Sequence, residues 1–100
     1  MQRVVIRNLE ENKISDIRGV VSTLRDTKYM IFIVIKDRTD FIQVSIDKNN
    51  QSNLVDKVKD LTVGSIISVI GNMKYSEYVK NGGKEFIPED INILSKADIY

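Results

Sequence analysis

Two short segments in which every second residue is isoleucine or valine constrain this chain more than any other feature. They are M-I-F-I-V-I-K, residues 30–36, and F-I-Q-V-S-I, residues 41–46. Successive side chains of a β-strand point to opposite sides. Each segment therefore has one apolar face, formed by Ile31, Ile33 and Ile35 in the first and by Ile42, Val44 and Ile46 in the second. The polar link at residues 37–40 predicts an antiparallel hairpin with this face in the core.

Before the hairpin, the pattern predicts one further strand. It runs from Asp16 to about Leu24, and Gly19 within it marks a bend or a bulge. Residues 1–14 mix apolar and charged positions without a clear period, so no structure is assigned to them.

After the hairpin, helical spacing replaces the alternation. The segment L-V-D-K-V-K-D-L places its apolar side chains on one helical face, with members Leu54, Val55, Val58 and Leu61. Ser52 or Asn53 is expected to cap the start of this short helix, because both side chains can accept a hydrogen bond from the first turn.

The last part of the chain predicts two more strands joined by a loop. The first covers residues 66–74, with Gly71 as a second candidate bulge. Residues 76–83 are expected to form a mobile loop tip. The final strand is expected over residues 84–94, where Pro88 lacks a backbone donor and so indicates an edge or a bulge.

Three strands, a helix and two strands predict an all-β fold, the five-stranded Greek-key barrel known as the OB-fold. The helix between the third and fourth strands is the discriminating element. An SH3-like barrel would have no helix there, and a ferredoxin-like domain would need two long ones. We expect residues 1–100 to form this single domain, since 100 residues with 42% hydrophobic content make one adequate core.

Composition limits the chemistry of this chain. It has no cysteine and no histidine, which removes disulfides, thiolate metal sites and the commonest general base. No glycine-rich phosphate loop is present, and the acidic residues show no metal-ligand spacing.

The apolar runs are too short to span a bilayer, so we expect a soluble cytoplasmic protein. A formal net charge of +1 argues against tight sequence-blind binding to nucleic acid by this chain alone.

Two side chains on the polar side of the hairpin are the best candidates for a binding site. Phe32 offers a ring that can stack on a base, and Gln43 offers an amide that both donates and accepts hydrogen bonds. By parity Phe41 and Ser45 also point outward. An ordinary surface aromatic and a solvated glutamine are the alternatives, but the second and third strands are the usual ligand face of this barrel.

Arg25 and Glu85 are two further candidates. Arg25 ends the first strand at the mouth of the barrel and could present a planar donor fork to phosphate or base. Glu85 could accept from a base N–H if it faces the same groove. A weakly basic rim and an ordinary mixed surface remain open for the nearby cations Lys28, Lys36, Arg38, Lys74, Lys80 and Lys84.

The string L-R-D-T-K-Y-M-I-F-I-V-I-K-D-R-T-D-F-I-Q-V resembles the anticodon-binding OB domain of class II aspartyl-, asparaginyl- and lysyl-tRNA synthetases. Its basic, aromatic, acidic and amide positions match at Arg25, Phe32, Asp37 and Gln43. Two later stretches, L-T-V-G-S-I-I-S-V-I-G-N and K-E-F-I-P-E-D-I-N-I-L-S-K-A-D, are most similar to the archaeal and eukaryotic aspartyl enzymes. The likeness extends from Ile17 to Ala97.

This resemblance implies a role for each candidate residue. Phe32 would stack on the middle anticodon base, a uridine, and Gln43 would hydrogen-bond its edge. Arg25 would contact anticodon bases or the adjacent backbone, and Glu85 would help to read a flanking base. The partner would be a tRNA anticodon loop. No cofactor is expected in this domain, because ATP and Mg²⁺ belong to the catalytic domain of the synthetase.

The resemblance also implies a parent protein. We expect the chain to be the N-terminal domain of an aspartate-tRNA ligase that is a homodimer, and the isolated domain to be a monomer. The R-D-T-K segment, with no glycine in the turn after Arg25, also resembles asparaginyl enzymes, so the amino acid stays open. A freestanding OB-fold that binds single-stranded nucleic acid or protein is the alternative.

Overall fold

A computed structural model describes residues 3–76 and 83–97 of the chain. Its five strands are β1, Ile14–Asp26; β2, Met30–Lys36; β3, Phe41–Asp47; β4, Ile66–Tyr75; and β5, Lys84–Ser95. One helix, α1, spans Ser52–Val58 between β3 and β4, and a single 3₁₀ turn spans Ile6–Asn8. The loop tip predicted at residues 76–83 falls almost wholly outside the described residues.

The strands close into a barrel in the order β1-β2-β3-β5-β4. Every neighbouring pair is antiparallel except β3 and β5, which run parallel where Gln43 and Val44 face Glu85 and Phe86. This order, with the one helix between β3 and β4, confirms the predicted five-stranded OB-fold.

The barrel interior is built from alternate residues of each strand. The β2–β3 hairpin has the predicted bounds, and all six apolar positions of its inward face are buried. Strands β1, β4 and β5 complete the interior with their own fully enclosed side chains, Ile17, Val21, Ile67, Val69, Met73, Phe86 and Ile91. Burial of these side chains supplies most of the driving force for folding.

The two ends of the barrel are closed by different devices. At the end where β3 leads into α1, Leu54 and Val58 of the helix are buried. At the opposite end, beside the β2–β3 turn, the fully buried Ile6 of the 3₁₀ turn fills the opening. Its backbone N–H donates to Asp37 Oδ2 at 2.8 Å. The segment to which the sequence assigned no structure is thus part of the core.

The cap predicted for α1 is wrong. Helix α1 begins at Ser52, so its N-cap residue is Gln51, which makes no side-chain capping bond. The Gln51 side chain instead reaches toward β3 and β5. Its Oε1 accepts from the Asp47 N–H at 3.1 Å, and its Nε2 donates to the Pro88 carbonyl at 2.6 Å. Gln51 therefore ties the start of the helix to β3 and β5.

The bulge expected at Gly19 lies three residues later, at Ser22. Val21 pairs with Ile35 and Thr23 pairs with Val34, so Ser22 is the extra residue of β1. Glycine is required at position 19 for a different reason. A Cβ at this position would lie 2.8 Å from the Lys36 carbonyl oxygen, which is too close for any side chain.

The irregularity predicted around Gly71 and Pro88 is confirmed. Ile70 pairs with Asp90 and Gly71 pairs with Pro88, which leaves Glu89 as the extra residue of β5. Opposite this bulge, a Cβ on Gly71 would lie 2.1 Å from the Ile87 carbonyl oxygen. Glycine is required because the bulged strand approaches so closely.

Candidate nucleic-acid interface

An open groove of about 370 Å³ crosses the outer face of β1, β2 and β3. Its floor and walls combine aliphatic, aromatic, cationic and amide groups, namely Thr23, Leu24, Arg25, Phe32, Val34 and Gln43. The face of β2 and β3 is the usual ligand surface of this fold. Three of the four predicted site residues, Arg25, Phe32 and Gln43, line this one groove.

The bulge at Ser22 is the reason why Arg25 reaches the groove. Val21 points into the core, and strict alternation from it would send residue 25 inward as well. The extra residue reverses the alternation, so that Arg25 pairs with Phe32 on the outer face. The Ser22 hydroxyl secures the bulge by donating to the Val34 carbonyl at 3.2 Å.

Arg25 and Phe32 form a stacked pair. The guanidinium carbon lies 4.6 Å from the centroid of the ring, within the range of a cation–π contact. The ring is half-buried rather than free in solvent. The pair thus presents a fixed planar surface with a positive charge, which suits a base that carries a phosphate on either side.

Gln43 is the diagonal neighbour of Phe32 across the hairpin. Phe32 faces Ser45 directly and Val34 faces Gln43, so the ring and the amide are separated by one step of the ladder. Ser45 shares their face but is 3% exposed, which corrects the expectation that it is a surface residue. Its hydroxyl oxygen is buried without a hydrogen-bond partner in the described chain.

Glu85 stands beside Gln43 on the neighbouring strand. The parallel pairing of β3 and β5 places these two residues side by side, while the next pair, Val44 and Phe86, points inward. Glu85 therefore shares the outer face with Gln43. The bulge at Glu89 lies beyond this point and does not disturb the alternation here.

The polar ends of Gln43 and Glu85 are available to a ligand. Within residues 3–76 and 83–97, the structure shows no hydrogen bond or ion pair to either side chain. An amide can donate and accept, whereas an ionised carboxylate only accepts. The Gln43 amide can therefore pair with a base edge that offers an N–H donor next to a carbonyl oxygen, and the Glu85 carboxylate can accept from an N–H of a neighbouring base.

The sequence did not reveal two parts of this site. Thr23 joins the groove only because of the bulge at Ser22, for which no local sequence signal exists. A second concavity of about 250 Å³ lies next to Arg25, between the ends of β1 and β2 and the helix α1. Its apolar walls include Val55 and Leu61. Helical periodicity had identified these two side chains only as core.

Other kinds of site find no support in the part of the chain that the structure describes. No group of three or more acidic, cysteine or histidine side chains there could hold a metal ion. No helix in the same residues is long and apolar enough to cross a membrane. Lys80 of the predicted basic rim lies outside the described residues.

A comparison with protein-family models finds a match over most of this chain. The anticodon family model, described as an OB-fold nucleic acid binding domain, matches residues 16–94. These residues include all five strands except the first two residues of β1 and the last of β5.

Curated relatives point in the same direction. An aspartate–tRNA(Asp/Asn) ligase of Methanoculleus marisnigri is 34% identical over 89 residues, which are 88% of this chain and 20% of that protein. The corresponding ligase of Archaeoglobus fulgidus is 35% identical over 81 residues, or 80% of this chain and 19% of that protein. The chain thus spans about a fifth of the length of the curated relatives it matches.

A solved structure supports the fold. The asparaginyl-tRNA synthetase of Pyrococcus horikoshii superimposes with a TM-score of 0.84 at 24% identity. The match covers 98% of this chain and 23% of that one. At this level of identity the likeness concerns the barrel and the course of its strands.

Proposed function

This chain belongs to the tRNA anticodon family of OB-fold nucleic acid binding domains, and we propose that it reads the middle uridine of an anticodon. The observation that carries the proposal is the single groove lined by Arg25, Phe32 and Gln43, with Glu85 beside it. The uridine stacks on Phe32, and its edge lies against Gln43.

Stacking supplies affinity with little regard to the base. Every base has a π-face, and stacking on an aromatic side chain contributes ~1–3 kcal/mol per base. Arg25 adds a positive charge directly over the Phe32 ring, which attracts the phosphates of the stacked nucleotide. Phe32 and Arg25 together therefore hold a nucleotide in the groove without selecting it.

Selection of the middle base falls to Gln43. Uracil presents an N3–H donor between two carbonyl oxygens, and the Gln43 amide can pair with the donor and one oxygen at once. By rotation, an unrestrained amide could also fit the edge of adenine. Glu85, whose carboxylate only accepts, would take a hydrogen bond from a ring N–H or an exocyclic amine of a flanking base. Pyrimidine size and the hydrogen bonds to Gln43 thus set the preference for uridine at the middle position.

The proposal extends to the larger protein. The matched relatives are ligases about five times as long as this chain, and amino-acid activation with ATP and Mg²⁺ would be the task of such additional sequence. The chain would then act as the anticodon-binding part of an aspartyl-type tRNA ligase, with aspartate or asparagine tRNA as its partner.

The test is a fluorescence-anisotropy titration of the 100-residue chain with anticodon stem-loops. One stem-loop carries the anticodon G-U-C, and the others carry adenine or cytosine at the middle position. Phe32→Ala should weaken binding of all three, by roughly 5- to 150-fold, which corresponds to the loss of one stacking contact. Gln43→Ala should instead remove the difference between the three RNAs.

Phe41→Ala is the matched control for Phe32→Ala. Phe41 is an exposed aromatic on the same β2–β3 face as the half-buried Phe32, but it does not line the groove, so this change should leave affinity nearly unaltered. Equal binding of all three RNAs by the unmodified chain would contradict base reading. A loss with Phe41→Ala as large as that with Phe32→Ala would place the RNA elsewhere.

A further inference from the structure

Another polar groove, the arginine groove, lies at the opposite end of the β2–β3 hairpin from α1. It measures about 350 Å³ and is lined by Arg3, Val4, Val5, Arg18, Asp37 and Arg38. Three separate segments supply its arginines: the chain before the 3₁₀ turn, the outer face of β1, and the β2–β3 turn. All three arginines are exposed.

The positive charges of this groove are not neutralised by neighbouring acids. Across residues 3–76 and 83–97, no ion pair involves Arg3, Arg18 or Arg38. Asp16 pairs with Arg3 in an isolated parallel bridge, but it is half-buried and does not line the groove. The lining thus carries three positive charges and one negative charge.

That one negative charge, on Asp37, is committed to the fold. Its Oδ1 accepts from the Thr39 N–H at 2.7 Å, the Thr39 hydroxyl at 2.6 Å and the Asp40 N–H at 3.1 Å. Its Oδ2 accepts from the Ile6 N–H at 2.8 Å. With these donors already bound, the carboxylate is a weak partner for the three guanidinium groups that line the same groove.

Outward-facing residues connect this groove to the one lined by Arg25, Phe32 and Gln43, the base-reading groove. Phe32, Val34 and the exposed Lys36 follow one another on the outward side of β2, and Lys36 lies about 13 Å from Phe32 at ~3.3 Å per strand residue. Val20 faces Lys36 across β1 and β2. Arg18 lies two residues before Val20 on β1, Arg38 lies two residues after Lys36 in the β2–β3 turn, and both side chains line the arginine groove.

We propose that the groove of Arg3, Arg18 and Arg38 binds phosphodiester groups of the RNA that flanks the anticodon. This inference rests on the proposed function, because it assumes that a base stacked on Phe32 fixes the RNA on this face. Guanidinium groups hold phosphates in bidentate geometry. The groove adds affinity that does not depend on sequence, and Lys36 bridges it to the base-reading groove.

The site also accounts for the charge distribution of the chain. A formal net charge of +1 predicts weak backbone binding if the charges are evenly spread. Three arginines gathered at one end of the hairpin create a local anion site without raising the net charge. Sequence order hides the cluster, because residues 3, 18 and 38 are far apart along the chain.

The experiment measures the salt dependence of stem-loop binding. Arg3→Gln, Arg18→Gln, Arg38→Gln and the triple variant are titrated with the uridine and adenine stem-loops at several KCl concentrations. A plot of the logarithm of the binding constant against the logarithm of the KCl concentration has a negative slope. For the triple variant the magnitude of this slope should decrease by about one to two, as expected for one or two lost phosphate contacts. Affinity at low salt should fall on the order of tenfold, equally for both RNAs.

Lys57→Gln is the matched control, since it removes one positive charge on α1, outside this groove. It should change neither slope nor affinity appreciably. Urea midpoints of the arginine variants should match that of the unmodified chain, because the three arginines are exposed and form no ion pair within the described residues.

The two proposals fail in different ways. An unchanged salt slope in the triple variant, or an equal change in Lys57→Gln, would overturn the phosphate site even if uridine is preferred. A lower slope with no preference for uridine would support the phosphate site and contradict base reading. No binding of either RNA at low salt would overturn both.

Discussion

The candidate site depends on the contact between Arg25 and Phe32. The guanidinium carbon lies 4.6 Å from the ring centroid, so the two side chains are already packed together when a base arrives. Preorganisation of this kind lowers the entropic cost of binding. The Gln43 side chain, by contrast, has no hydrogen-bond partner within residues 3–76 and 83–97, so the ligand itself must order it.

Ser45 is the residue beneath this site whose contribution to stability can be isolated. Its buried hydroxyl has no hydrogen-bond partner among the described residues, and a buried unsatisfied hydroxyl lowers stability. We expect Ser45→Ala to leave the free energy of unfolding unchanged or to raise it by up to about 1 kcal/mol in urea denaturation.

Ser65→Ala is the comparison for that change. Ser65 is fully buried, and its hydroxyl contacts Thr62 and accepts from the Ala97 N–H. Its loss should lower stability by about 1–2 kcal/mol. A comparable loss with Ser45→Ala would mean that the Ser45 hydroxyl is satisfied after all.

At the scale of elements, bulges decide what each strand presents. One extra residue at Ser22 reverses the alternation of β1 and turns Arg25 outward. A second at Glu89 bends β5 over β4, at the point where Gly71 allows the close approach. Bulges of this kind change the direction of side chains near binding sites. Here the bulge at Ser22 brings Thr23 and Arg25 into the groove that Phe32 and Gln43 also line.

Gly71→Ala tests the close approach of β4 and β5. The new Cβ would lie 2.1 Å from the Ile87 carbonyl oxygen, which the backbone can relieve only by separating the two strands. We expect a loss of about 3 kcal/mol or more in the free energy of unfolding, measured by urea denaturation. Glu89→Ala, at the exposed bulge residue, should change it by less than about 0.5 kcal/mol.

At the scale of the whole molecule, Asp37 joins the N-terminal segment to the barrel. It binds the Ile6 N–H while organising its own turn through Thr39 and Asp40. The same turn places Arg38 in the arginine groove. Closure of the barrel end and assembly of the arginine cluster thus depend on one carboxylate.

The charge of Asp37 should make stability depend on pH. Partial burial raises the pKa of this carboxyl, but the hydrogen bonds from Thr39, Ile6 and Asp40 together outweigh it and hold the pKa below 3.8. A lowered pKa in the folded state stabilises the fold above the ordinary pKa, and the contribution disappears as the pH falls through the folded value.

Asp37→Asn removes this contribution. At about pH 7 the variant should be less stable by roughly 1–2 kcal/mol, since an amide nitrogen cannot accept the bonds that one carboxylate oxygen receives. The deficit should shrink as the pH falls well below 3.8. Urea denaturation at both pH values measures it, with the exposed Glu10→Gln as control. A deficit that does not change with pH would contradict the role of the charge.

The sequence by itself determined the elements and the outer face of the hairpin. Alternation over residues 30–36 and 41–46 is a local property of extended backbone, so it identified the core side chains together with the outward positions of Phe32 and Gln43. Helical spacing identified α1 in the same way. The order of these elements was sufficient to predict the barrel.

Only the tertiary structure decided how distant residues meet. The bulge at Ser22 is fixed by pairing with β2, and the neighbourhood of Gln43 and Glu85 follows from the parallel contact that closes the barrel. Ile6 is core only because the barrel leaves an opening for it. The arginine groove likewise joins three segments. Such contacts depend on which strand supplies the neighbouring carbonyls and side chains, and no local period of the sequence records that choice.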